Sequence, residues 1–142
     1  MTIKKQEFYE GAALHLLARA GGIKNVQYQA PFFLLNDALT VHLKYCTRSR
    51  SPWTFSFATD EQVLLRDRAS KFKTVIGLIC GADGVASISY DDYQKIAESG
   101  NAAIHIACYR DHHKHYEIKG PKGKLDSKVA PSNWQRILEE KT

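Results

Sequence analysis

Cysteine is scarce in this chain. Cys46, Cys80 and Cys108 are the only three in 142 residues, an odd set with no CxxC spacing. That argues against a disulfide scaffold and against a structural zinc site built on paired thiols. Cys80 and Cys108 sit in apolar, strand-like runs, where a free thiol behaves as a small hydrophobe. Long apolar runs are missing too. None approaches the roughly 20 residues that a bilayer-spanning helix needs, so no membrane partner is expected. The N-terminal stretch carries Lys4, Lys5, Glu7 and Glu10 where a signal peptide would have an apolar segment, and with the reduced cysteines this points to a cytoplasmic protein. Repeats, low-complexity tracts and linker-like compositions are likewise lacking. The expectation is one domain over residues 1–142, long enough to bury a core.

What is present is a globular composition, 44% hydrophobic and 11% aromatic. Net charge is +5, which favours polyanionic partners, though only mildly. The placement of the charge says more. Lys44, Arg48 and Arg50 cluster after one strand-like run, and Lys114, Lys119, Lys122, Lys124 and Lys128 cluster near the C-terminus. Tyr45, Trp53 and Phe55 interleave with the first group, a pattern that suits phosphate contact and base stacking.

Periodicity predicts a helix over residues 2–20, with Phe8, Ala12, Ala13, Leu16, Leu17 and Ala20 on its buried side and Glu10 at the edge of that stripe. Gly21 supplies its C-cap, with Ile23 folding back. An extended pair follows at residues 31–35 and 39–44, turned at Asn36-Asp37. Trp53-Thr54-Phe55-Ser56-Phe57 alternates aromatic and polar, as a half-buried strand does. Thr59-Asp60-Glu61-Gln62 reads as a capping box that opens a helix carrying Leu65, Ala69 and Phe72 on one face. Residues 74–80 form a continuous apolar run, as in a central strand covered on both faces. Further strands are predicted at residues 85–90, 104–109 and 116–119. Asp91 and Asp92 cap a short helix, Gly120-Pro121-Lys122-Gly123 makes a tight turn, and a last helix starts at Ser132. The fold class is therefore α/β (α+β), one mixed β-sheet flanked by helices.

This order of helix, hairpin, strand, helix and buried strand resembles the restriction-endonuclease-like core of the PD-(D/E)XK nucleases, in particular the small Holliday-junction-resolvase type, over about half the chain. The family's motif reads Pro-Asp, a hairpin, then Glu-x-Lys. Here the matching positions read Pro31-Phe32, a hairpin, then His42-Leu43-Lys44. Residues 78–85 and 120–125 also resemble segments of uncharacterised bacterial proteins, a likeness that implies no function.

The resemblance implies a magnesium-dependent nuclease site, and the residues speak against one. Phosphodiester cleavage on a hard cation needs converging oxygen ligands. Phe32 stands in the aspartate position and His42 in the glutamate position. Lys44 is retained and Glu10 is the candidate helix carboxylate, so Glu10, His42 and Lys44 form at most a vestigial site. Asp37 is a turn residue, seven positions from Lys44. A second Glu-x-Lys, Glu117-Ile118-Lys119 with Asp111 upstream, is the alternative catalytic set. His105, His112, His113 and His115 near Cys108 invite a transition-metal reading, but their spacing suits a solvated hairpin better. His15 and His42 read as boundary or core histidines.

The functional expectation is a non-catalytic nucleic-acid-binding or accessory protein on a degenerate nuclease fold. Lys44, Arg48, Arg50, Lys119, Lys122 and Lys124 would contact phosphates, with no resident metal or cofactor. Two alternatives are a protein-interaction module forming homo- or hetero-oligomers, and an active nuclease using Mg²⁺ or Mn²⁺ with relocated residues.

Overall fold

The computed structural model of the chain describes residues 2–98, 102–112 and 114–139. It contains two sheets with helices against them. Helix α1 (Lys5–Ala20) leads into strands β1 (Val26–Gln29), β2 (Phe32–Leu35) and β3 (Leu39–Cys46). Next come β4 (Trp53–Phe57), helix α2 (Thr59–Ala69), β5 (Lys73–Cys80), β6 (Gly84–Ser89) and helix α3 (Tyr90–Ile96). The chain continues through β7 (Ile104–Tyr109), β8 (Glu117–Gly120), β9 (Gly123–Lys124) and a 3-10 helix, Pro131–Arg136.

The first sheet has five strands in the order β1-β2-β3-β5-β6, and the second has four in the order β4-β7-β8-β9. In the first, β1, β2 and β3 run antiparallel, β5 lies parallel to β3 across the α2 crossover, and β6 returns antiparallel. The continuous apolar run does occupy an interior strand. The single mixed sheet expected from the sequence does not form, because β4 leaves β3 and pairs with β7, Phe55 opposite Ile106, to start the second sheet.

Two apolar clusters explain the layering. On one face of the first sheet Ala13 and Leu17 of α1 pack with Leu35, Val41, Leu43, Ile79 and Trp134. The opposite face, with Ile76, Leu78 and Ile88, packs against Phe55, Phe57, Ile106 and Ile118 of the second sheet and Leu65 of α2. Burying about 25 cal/mol per Å² of apolar area on both faces of β5 makes that strand the centre of the fold. Gly77 on β5 leaves room for this packing. A Cβ there would meet Leu43 Cδ2 and Trp134 Cζ3 at 2.9 Å each. The Trp134 indole also donates to the Ala13 carbonyl at 2.9 Å, so it joins helix α1 to the sheet.

Three local readings need correction. The buried face of α1 is Ala13 and Leu17, with Tyr9, Leu14 and Leu16 partly covered, while Phe8, Ala12 and Ala20 are exposed. The cap of α3 is Ser89, whose hydroxyl accepts from the Asp92 amide at 3.1 Å. The last helix is a short 3-10 turn that begins with Pro131 and closes once Trp134 is buried. Among the described residues no helix is long and apolar enough to cross a membrane.

Candidate functional site

Strand alternation sends Thr40, His42 and Lys44 to the side of β3 that faces α2, with buried apolar side chains on the other side. A row of polar groups there must find partners. Helix α2 supplies them two turns apart. Arg68 Nε donates to Thr40 Oγ1 at 2.8 Å, and its guanidinium also hydrogen-bonds Gln29. Glu61 Oε2 lies 2.6 Å from His42 Nε2 and 2.7 Å from Lys44 Nζ. The other oxygen of Glu61 accepts from the Ala58 amide at 3.0 Å, fixing the start of α2.

Glu61 is thus the centre of the cluster. Burial pushes its carboxyl up, but the hydrogen bonds from His42 and Lys44, and the charge beside it, outweigh that and hold it down at about 2. The Lys44 ammonium also lies 4.9 Å from the Phe57 ring centroid. His42 is buried between Phe32, edge-on at 5.1 Å, and Phe57 at 6.2 Å, and its Nδ1 has no hydrogen-bond partner among the described residues. With Nε2 committed to Glu61, a lone pair rather than an N–H at Nδ1 leaves the smaller unmet demand.

Helix α1 reaches the same place, as expected. Tyr9 stacks on Tyr45 at 5.0 Å, and Glu10 lines a cleft of about 220 Å³ with Pro31, His42, Lys44 and Glu61. Glu10 accepts from Gln6 at 3.0 Å. Phe32 is apolar and buried in the core, its ring edge-on to His42. A hard divalent cation would find one carboxylate already bound by an ammonium and an imidazole, and a second bound to an amide. The donor set does not fit Mg²⁺ or Mn²⁺. Among the described residues no three His, Cys, Asp or Glu side chains gather as metal ligands.

The alternative set disperses. Glu117 and Lys119 share the outer face of β8 and form a 3.5 Å ion pair, while Asp111 lines a different cleft with Arg50, Asp83 and Arg110. The histidines near Cys108 do not converge on it. Cys108 is buried, His105 is exposed and hydrogen-bonded to Ser56 at 2.9 Å, and His112 and His115 are exposed. His113 lies outside the described residues. His15 is exposed on α1, whereas His42 is the buried, partnered histidine. Asp37 adopts φ 57° at the hairpin turn and accepts from Asn25 and Gln27, as a turn residue does. The hydrogen bond shared with Cys108, and then burial, push the Cys80 thiol far above its ordinary value, so it is no nucleophile.

The basic groups divide. Lys44 is occupied by Glu61 and is unavailable for phosphate. Arg48 and Arg50 are exposed on the loop before β4 and have no ion-pair partner among the described residues. The second sheet buries Trp53, Phe55, Phe57, Ile104, Ile106 and Cys108 and leaves its other face open. Thr54, Ala107, Lys119 and Lys124 lie in one cross-strand row on that open face. Tyr109 is 37% exposed beside the row, with Lys119 Nζ 4.9 Å from its ring centroid. Lys122 sits at the tip of the β8–β9 turn and faces a separate cleft against α2 and α3.

Glu61 is the site residue that local sequence signals do not reveal, because Thr59-Asp60-Glu61-Gln62 presents it only as a helix-start carboxylate. The signal that points to it is the polar alternation Thr40, His42, Lys44 on a strand whose neighbours are apolar. Such a row requires a polar helix face above it. Comparison of the chain with protein-family models, with curated proteins and with solved structures finds no match.

Proposed function

We propose that this protein binds nucleic acid without cleaving it, on a degenerate form of the PD-(D/E)XK scaffold. The observation that carries the reading is the open face of the second sheet, where Lys119, Lys124 and Tyr109 lie with Thr54, Ala107 and the single carboxylate of Glu117, and where Arg48 and Arg50, on the loop leading into β4, have no ion-pair partner among the described residues. Cations on a flat sheet with an exposed ring suit a single strand, whose phosphates seek charge and whose unstacked bases seek a π-face. The scaffold half of the proposal is supported by the helix, antiparallel meander and parallel β3–β5 pair linked by α2. The non-cleaving half is supported by Phe32 and by the engagement of Glu61 in an ion pair with Lys44 and a hydrogen bond with His42.

Fluorescence anisotropy with single-stranded RNA, single-stranded DNA and duplex DNA, at low and at physiological salt, tests it. The expected result is salt-sensitive binding that prefers single strands and leaves the probe intact with Mg²⁺ or Mn²⁺ present. No binding of any probe at low salt removes the proposal. Metal-dependent cleavage that disappears in Lys44→Ala would revive the nuclease reading.

A second reading rests on β1. This strand pairs only with β2, so its other edge is open among the described residues, and it exposes Val26 and Tyr28 at 44% and 62%. An open edge with apolar side chains invites pairing with another strand, including that of a second copy. Light scattering that gives a salt-insensitive dimer, abolished by Tyr28→Lys, would favour it.

A further inference from the structure

Helices α2 and α3 line a common cleft. Thr59, Gln62, Val63 and Arg66 line one side, and Tyr90, Tyr93, Gln94 and the C-cap Ala97 line the other, each set at the i, i+3, i+4, i+7 spacing of one helix face. Between them is a cleft of about 260 Å³, floored by Ile104 and closed at one end by Lys122. Val63 remains 45% exposed although its stripe faces a neighbouring helix.

The lining has a definite chemistry. Among the described residues it contains two cations, Arg66 and Lys122, and no carboxylate. Neither cation has an ion-pair partner among the described residues. Tyr90 and Tyr93 form a ring pair with centroids 5.7 Å apart and planes 30° from parallel. Tyr93 is only 5% exposed, and its hydroxyl has no hydrogen-bond partner among the described residues. Burial, then Tyr90 and Glu61, raise that hydroxyl to about 12, so it remains a proton donor. Gln62 is fixed by its amide, which donates to the carbonyls of Phe57 and Ala102 at 2.9 and 3.1 Å. The wall on that side is therefore built rather than loose.

We infer that the α2–α3 cleft binds a small phosphate monoester carrying one flat ring system, of the nucleoside monophosphate class, with Arg66 and Lys122 at the phosphate and the tyrosines at the ring. Two unpaired cations match a dianionic head better than a single carboxylate does. Organic-ligand sites run from about 300 Å³ upward, so a cleft of this size limits the ligand to one ring system and its head group. The site is separate from the open face of the second sheet and does not rest on the polymer-binding reading. It reassigns Lys122 alone among the basic residues near the C-terminus.

Isothermal titration of the full chain with a nucleoside 5′-monophosphate, phenyl phosphate, the unphosphorylated nucleoside and inorganic phosphate tests the inference. Saturable binding of the two esters is expected, with the nucleoside and inorganic phosphate much weaker. Arg66→Ala and Lys122→Ala, both at exposed positions, should each weaken the ester by roughly tenfold or more, the usual scale for losing a charge-assisted contact. Absence of ester binding overturns the inference, as does ester affinity unchanged in the Arg66→Ala/Lys122→Ala double variant. Inorganic phosphate binding as tightly as the esters overturns the role of the ring. Single-strand binding that survives in the double variant is expected, so loss of one activity is distinguishable from loss of the other.

Discussion

The two sheets of this protein use their strands in opposite ways. Apart from its edge strand β1, the first is covered on both faces, by α1 and Trp134 on one side and by the second sheet with α2 on the other. Its central strand is therefore almost wholly apolar, and the polar side chains of the neighbouring β3, Thr40, His42 and Lys44, have partners on α2. The second sheet is covered on one face only, so its strands alternate and every second residue meets water. The first sheet has little freedom to vary without loss of stability. The second can change its outer residues at little cost, and that is where a binding surface can be built.

The sharpest way to break the comparison is in the first sheet. Trp134→Ala should cost about 4 kcal/mol, the range for deleting a large buried aromatic, since it empties the space beside Gly77 and removes the indole bond that ties α1 to the sheet. Urea denaturation measures it. A loss below about 1 kcal/mol would show that the 3-10 helix is not part of the core.

Glu61→Gln comes next. It leaves Lys44 and His42 facing a neutral amide inside a largely covered cluster, and should cost about 2 kcal/mol after allowance for solvent screening. The sign with pH follows from the depressed carboxyl. Its stabilisation is fully present above the ordinary carboxyl value of 4.5 and is lost as pH falls toward about 2. The wild type should therefore lose stability through that window. The Glu61→Gln variant should lose less over the same range, which parallel urea titrations at each pH will read. Equal acid sensitivity in both proteins would mean that the pair does not stabilise the fold.

The second sheet should respond in the reverse manner. Lys119→Ala with Lys124→Ala should change stability by no more than about 0.5 kcal/mol, because both side chains are exposed and the one ion pair, to Glu117, is on the surface. The same change should weaken single-strand binding. If all four proposed phosphate contacts form, the slope of log K against log salt should be roughly −3, and should fall by about half in the double variant. The smallest effect is expected from Arg48→Ala alone, a shift of about one phosphate in that slope with stability intact. An unchanged slope in every variant would place any polyanion contact elsewhere.

Several elements could be read from the residues alone. The 3.6-residue spacing of Ala13, Leu16 and Leu17 made α1 legible, Asn36-Asp37 announced the hairpin turn, and the apolar run ending at Cys80 announced a strand buried on both sides. Strand β1 could not be read in this way. Val26-Gln27-Tyr28-Gln29 is exposed along most of its length and exists because β2 offers it an edge, not because it buries a face. In the site, spacing alone placed His42 and Lys44 on one face of a strand. The partner that binds them both, Glu61, lies 17 residues beyond Lys44 along the chain, and only the seating of α2 over β3 brings it there.

What the sequence determined by itself was therefore local: which segments bury a face, where the chain turns, and that Phe32 and His42, rather than carboxylates, stand on the hairpin strands beside Lys44. The tertiary structure decided whether β4 continued the first sheet or began another, because Trp53, Phe55 and Phe57 gain more from packing against Ile76 and Leu78 across a layer than from extending a sheet edge. It also decided which basic residues stay free. Lys44 and Lys119 are both lysines two places along a strand from a polar neighbour, and no local rule separates them. One meets a buried carboxylate and is consumed by it, while the other meets a solvated glutamate on an open face, where water screens the pair and leaves the cation available.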